Sequence, residues 1–149
     1  MVLVAEEINK TTSTLDLALY SLTHDEITRI IIDAHNAGVK VRLVIDVAQA
    51  GSRYADDEKL EEAGIEVYRV RSPKGGLMHH KFAIMDGKAL FTGSFNWTAG
   101  GNDKNSENLI LIHDQNIIND FQEEFEVLWE HALKKWKHKQ DKYRNSHKK

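Results

Sequence analysis

Nine residues, Val39 to Val47 (VKVRLVIDV), constrain the fold more than any other stretch. They are β-branched and almost continuously apolar, as in a strand covered on both faces, and such strands belong to sheets flanked by helices. The surrounding sequence agrees. Upstream, Thr14 to Tyr20 (TLDLALY) reads as a strand with Leu15, Leu17 and Leu19 on one face. Thr23-His24-Asp25-Glu26 has capping-box form and opens a helix expected to reach about Ala37, where Gly38 stops it. Downstream, Ala55 to Ala63 predicts a helix ended by Gly64, and Ile65 to Val70 another strand. Alternating strand and helix argue a parallel sheet.

Beyond the loop Arg71-Ser-Pro-Lys-Gly-Gly76 the rhythm changes. His79 to Met85, Lys88 to Ser94 and Glu107 to His113 predict three strands with no helix between them, the first two joined by a tight hairpin at Asp86-Gly87. From Asp114 to about Trp136 one long helix is expected, with Ile117, Ile118, Phe121, Phe125, Leu128 and Trp129 as its core face. A first helix spans Val2 to about Thr12. The fold class is therefore α/β, a mixed β-sheet sandwiched between helices.

Chemistry concentrates around His79-His80-Lys81. Side chains alternate along a strand, so His79 and Lys81 share a face and His80 points away. The hairpin returns the next strand alongside, and its end, Gly93-Ser94-Phe95-Asn96, presents Ser94 and Asn96 on one face. An imidazole, an ammonium, a hydroxyl and a carboxamide at one sheet end suit an anion with several oxygens, above all a phosphate. Gly93 permits close backbone approach. An imidazole there can attack phosphorus or move a proton. Glu107 is the expected acceptor for its second nitrogen, and Asp86 has a supporting role. His24, His35, His80 and His113 are read as packed or solvated, and Asp46 as a turn or cap residue.

The spacing His79-x-Lys81-x4-Asp86-x6-Gly93-Ser94-x-Asn96 resembles the signature of the phospholipase D superfamily, which fixes six residue types over eighteen positions. LDLALYSLT, GVKVRLVID, MHHKFAIMD, FTGSFNWT and NSENLIL extend the likeness to about Trp136, and it is nearest to the small single-motif endonucleases of bacteria and archaea. The resemblance implies a catalytic domain over residues 1–136, with a single HxKxxxxD motif and a basic tail, 137–149, outside it. It implies a phosphohistidine intermediate on His79, no metal and no cofactor. It also implies a homodimer in which two motifs build one site. Lys81, Ser94 and Asn96 would hold the phosphate, and Glu107 would orient the histidine.

Composition narrows the alternatives. The chain has 149 residues and no cysteine, which excludes a disulfide framework, a thiolate metal site and a cysteine nucleophile. No apolar run approaches the ~20 residues needed to span a bilayer, so stable membrane insertion is not expected. No secretory signal is read at Met1 to Lys10; the expectation is a cytoplasmic protein, the alternative an exported one whose signal was removed before residue 1. From His131 onward there are eight Lys or Arg and one Asp, a net of +7, against −10 for the remainder. Such a tail suits a polyanion. The leading expectation is thus a metal-independent nuclease on DNA or RNA with low sequence specificity. Arg71, Lys74 and the tail would contact the backbone; Trp97 would either stack on a base or pack in the core, and Phe95 is read as core. The rival readings are a phospholipid hydrolase, a non-catalytic nucleic-acid-binding module, and a fragment of a larger restriction or repair enzyme.

Overall fold

The structure, a computed structural model, describes residues 1–99, 104–136, 141–142 and 145–146. Its centre is a six-stranded sheet. The strands are β1 (Thr14–Leu19), β3 (Lys40–Asp46), β4 (Glu66–Val70), β5 (Lys81–Met85), β6 (Ala89–Gly93) and β8 (Leu109–Ile112), in the order β4-β3-β1-β5-β6-β8. The β4, β3 and β1 strands are mutually parallel, and β5, β6 and β8 each run antiparallel to the preceding neighbour. A short parallel ladder, β2 (Leu22–Thr23) with β7 (Trp97–Thr98), was not foreseen from the sequence.

Two apolar layers enclose the sheet. Alternate residues of β5 divide between them: Ala83 and Met85 join the layer containing Val4 and Ile8 of α1 (Val2–Lys10) and Ile27 and Ile31 of α2 (Asp25–Asn36). Phe82 and Ile84 join the opposite layer, with Phe125, Leu128 and Trp129 of α4 (Gln115–His131). A short α3 (Asp57–Glu62) precedes β4. Ala18 in β1 and Val44 in β3 reach the α4 layer while their neighbours reach the other, so both strands are buried on two faces. Asp16 interrupts this apolar pattern but is paired, taking two bonds of 2.7 and 2.8 Å from Arg42 of β3.

Three local expectations are corrected. Thr23 does not cap α2, because it is drawn into the β2–β7 ladder; the Nδ1 atom of His24 accepts the Ile27 N–H instead. Ile117, expected on the core face of the long helix, lies at its exposed start, while Ile118 beside it is buried as expected. The helix passes into a π-helical turn, Ala132–Trp136, after His131. Its N-terminus is capped by Asp114, which accepts the Ile117 N–H at 3.1 Å. Among the described residues no helix is long and apolar enough to cross a membrane. Most of the basic tail, 137–140, 143–144 and 147–149, lies outside the described residues.

Candidate active site

β5 begins at Lys81, so His79 lies on the approach to the strand rather than within it. The alternation of faces still carries across. Lys81 Nζ lies 3.1 Å from His79 Nδ1 and donates to the His79 carbonyl oxygen at 2.8 Å. His80 turns to the opposite side, where its Nε2 is 2.9 Å from Glu124 Oε1 of α4 and its ring meets Phe82 edge-on. The His79 side chain is exposed, and beside it opens a pocket of about 250 Å³ lined by Ser72, Leu77, Met78, His80 and Glu124.

The segment carrying His79 is held from two neighbouring strands. At the end of β3, the fully buried Asp46 accepts the Met78 N–H at 2.9 Å with one oxygen and the Ala48 N–H at 2.9 Å with the other. At the end of β1, Tyr20 donates its N–H to the His80 carbonyl at 2.7 Å. The Tyr20 ring packs against the His79 ring, centroids 4.5 Å apart, and Lys81 Nζ sits 5.3 Å from the same phenol ring. Gln49 Nε2 donates to the Tyr20 hydroxyl at 3.0 Å. Tyr20, Gln49 and the bond from Met78 to Asp46 were missed in the sequence, while the bond from Ala48 is the turn role expected of Asp46. The available signal was position: Tyr20 and Asp46 stand at the carboxyl ends of adjacent parallel strands, where α/β sheets place ligand sites.

The other side of the site comes from β6 and β8. The β5–β6 register, Ala83 opposite Phe91, continues to bring Gly93 opposite Lys81. A Cβ at Gly93 would overlap the Asn108 carbonyl, so only glycine lets β6 and β8 approach this closely. Ser94 follows immediately. It donates its hydroxyl to Glu107, accepts the Asn108 N–H at 3.0 Å on the same oxygen, and is exposed. Glu107, expected to accept from the second nitrogen of His79, thus takes its hydrogen bond from Ser94. Its charge still reaches the site: burial pushes the Lys81 ammonium below the ordinary lysine range, and Glu107 pulls it part of the way back. Asn96 is half-buried, and its side-chain oxygen finds no hydrogen-bond partner among the described residues.

Two assignments change. Asp86, read as a supporting catalytic residue, lies at the far end of β5, on the order of 15 Å from Lys81 by strand rise. There its carboxylate accepts the N–H groups of Thr12, Ser13 and Thr14 at 3.0, 2.7 and 3.0 Å, so it ties the hairpin to the start of β1 and touches nothing near His79. Trp97, read as a stacking surface or a core residue, is fully buried in the core beneath α2, because its ladder with Leu22 turns the indole inward. Phe95 is buried as well. Arg71 and Lys74 are exposed on the loop leading to Met78, whose Ser72 and Leu77 line the His79 pocket.

The sequence matches the family model described as cardiolipin synthase, PLD-like domain, over residues 4–129. A mitochondrial cardiolipin hydrolase of Chlamydomonas reinhardtii is 39% identical over 123 residues, covering 83% of this chain and 54% of that protein. The chain spans about half the length of the curated relatives it matches. Among solved structures, NucT from Helicobacter pylori superposes with a TM-score of 0.80 at 25% identity, covering 87% of this chain and 86% of that one. The phospholipase D family member Nuc from Salmonella typhimurium gives 0.79 at 28% identity, with coverage of 87% and 86%. With the family model spanning most of its length and relatives of this identity beside it, the chain belongs to the phospholipase D superfamily, within its PLD-like domain family.

Proposed function

We propose that the chain is a metal-independent phosphodiesterase, residues 1–136 forming the catalytic unit, that cleaves DNA or RNA with little sequence preference through a phosphohistidine. The observation that carries this is the exposed His79 imidazole set 3.1 Å from the Lys81 ammonium at the open end of the sheet, with the Ser94 hydroxyl just past the end of the next strand. In this reading an unprotonated ring nitrogen of His79 attacks phosphorus. An N–P bond forms, one ester P–O bond breaks, and the leaving oxygen takes a proton from an acid on the far side. Water, deprotonated by that same group, then cleaves the N–P bond.

One imidazole cannot stand on both sides of phosphorus at once. A two-fold homodimer that brings two motif ends together supplies a second His79 as the acid and a second Lys81 for the anion. Lys81, Ser94 and Asn96 hold the phosphoryl oxygens, and Glu107 positions the Ser94 hydroxyl and tunes Lys81. In this reading the charge on the anion is offset by the Lys81 ammonium of each subunit. Arg71, Lys74 and the basic segment 137–149 attract the polyanionic backbone.

A second reading puts the same chemistry on a phosphatidyl ester. It is favoured by the name of the 39% identical relative, a cardiolipin hydrolase. One experiment separates the two. Wild type, His79→Ala and His80→Ala proteins are incubated in EDTA with labelled single- and double-stranded DNA, RNA, a chromogenic phosphodiester and cardiolipin vesicles. The expected result is oligonucleotide cleavage in EDTA that falls at least about a thousandfold in His79→Ala, while His80→Ala keeps much of its activity. Full activity of His79→Ala, or dependence on Mg²⁺, overturns the mechanism. Turnover of cardiolipin alone transfers the reading to lipid.

A further inference from the structure

Between β3 and α3 the chain makes an excursion over residues 47–56, longer than the roughly two to six residues usual for a strand-to-helix loop. Together with Ser21, Thr23 of β2 and Ala99 it walls an open cleft of about 530 Å³. The cleft lies beside the site described above, because Gln49, which lines it, also holds the Tyr20 hydroxyl at 3.0 Å, and the Tyr20 ring is the wall against which His79 packs.

The rim of the cleft is unusual for surface chain. Tyr54 is 72% exposed, so its aromatic ring stands largely in solvent. The Arg53 guanidinium lies over one face of that ring at 5.6 Å, and no carboxylate pairs with it among the described residues. The acids that also line the cleft are held by one cation: Lys59 reaches Asp25 at 2.8 Å and Asp56 at 2.6 Å, and Thr28 donates to Asp56 at 2.9 Å, so Arg53 brings the charge of the lining to neutral. What remains to meet a ligand is one delocalised cation, one open aromatic face and the neutral donors of Ser52, Gln49 and Thr23.

We infer that this cleft is a subsite for the nucleotide flanking the cleaved phosphodiester in a single strand of nucleic acid. The free face of Tyr54 stacks on the base, Arg53 meets the neighbouring phosphate, and Gln49 passes the position of that unit to Tyr20 and His79. An aromatic face accepts any base, which agrees with low sequence preference, and the ring needs an unpaired base, which makes single strands the better substrate. Most of the side chains lining the cleft are Ser, Thr, Gln or charged groups, which suit the backbone of a nucleic acid. The inference rests on the nuclease reading of the site.

The test compares substrates with and without a flanking unit. Arg53→Ala, Tyr54→Ala, Arg53→Lys and Tyr54→Trp are assayed on a labelled single-stranded oligonucleotide, a chromogenic phosphodiester and cardiolipin vesicles, with thermal melting to confirm that these surface changes leave the fold intact. Tyr54→Ala should raise KM for the oligonucleotide on the order of tenfold, the scale of one lost base–aromatic stack, and Tyr54→Trp should retain wild-type KM. Arg53→Ala should reduce the slope of log(kcat/KM) against log salt by about one, and Arg53→Lys should retain it. In both alanine variants the loss on the oligonucleotide should exceed that on the small diester at least fivefold. Equal effects on both substrates, or none, overturn the subsite and leave the nuclease reading standing. A defect confined to cardiolipin vesicles also overturns it. A wild-type protein that turns over the diester or cardiolipin but no oligonucleotide removes the nuclease reading and the subsite together.

Discussion

At the scale of single residues, the proposed mechanism gives Tyr20 and Glu107 supporting roles beside the His79 nucleophile. Tyr20 offers its ring to both His79 and Lys81, and Gln49 fixes the ring through its hydroxyl. The two functions separate by substitution. Tyr20→Phe removes only the Gln49 tether and should lower kcat a few-fold; Tyr20→Ala removes the wall and should lower kcat on the order of a hundredfold, with KM for a small diester changing far less. Steady-state kinetics on both variants check this, and a Tyr20→Ala protein with wild-type kcat would show that the ring is only packing. Glu107 works through charge. In the proposed mechanism Lys81 holds the anion as an ammonium, and burial sets its pKa below the ordinary lysine value of about 10.4. Activity should therefore fall on the alkaline side below that pH. Because the Glu107 carboxylate raises Lys81, Glu107→Gln should move this limb to still lower pH. A pH profile of kcat/KM reads the shift, and movement upward would contradict the assignment.

At the scale of elements, the β5–β6 hairpin joins the site to the rest of the fold, and Asp86 is its clasp. Asp86 and Gly87 take positive φ of 54° and 62°, the paired left-handed geometry of a two-residue hairpin turn. The Asp86 carboxylate then binds three successive N–H groups where α1 gives way to β1. Burial alone would raise its pKa, but the bonds from Thr14, Thr12 and Ser13 outweigh that and hold it below the usual aspartate value. A depressed carboxylate pKa means stability that is present above about pH 4, the unfolded value, and is lost as pH falls through the folded one. Asp86→Ala leaves those donors without their acceptor and should cost about 2 kcal/mol. Denaturant melts at pH 7 and pH 3 check both points: the variant should lose stability at pH 7 and differ much less at pH 3. The hairpin dipeptide was readable in the sequence because turn geometry selects Asp-Gly locally. Its clasp was not, because the partner segment lies 72 to 74 residues away in the chain.

At the scale of the whole molecule, the chain presents one motif and one exposed His79, and the proposed reaction needs a group on each side of phosphorus. Sedimentation should show a dimer at assay concentration. Dimers of one wild-type and one His79→Ala chain should turn over poorly, since the covalent and acid roles then fall on different subunits. A fully active monomer would require an acid not identified among the residues around His79. The architecture behind this was largely legible. Apolar runs and their periods specify strand or helix over five to ten neighbouring residues, so VKVRLVIDV, TLDLALY and the face Ile118, Phe125, Trp129 announced a sheet between helices, and the residue types from His79 to Asn96 announced phosphate chemistry. What neighbours in sequence cannot encode is which side chain from a distant strand arrives beside which. Only tertiary packing turned Trp97 inward on Leu22, sent Asp86 to Thr12–Thr14, gave Glu107 to Ser94, and set Tyr20 and Asp46 around His79. Each of those contacts depends on the register between strands, and register is decided by burial of the whole sheet face rather than by any local run of residues.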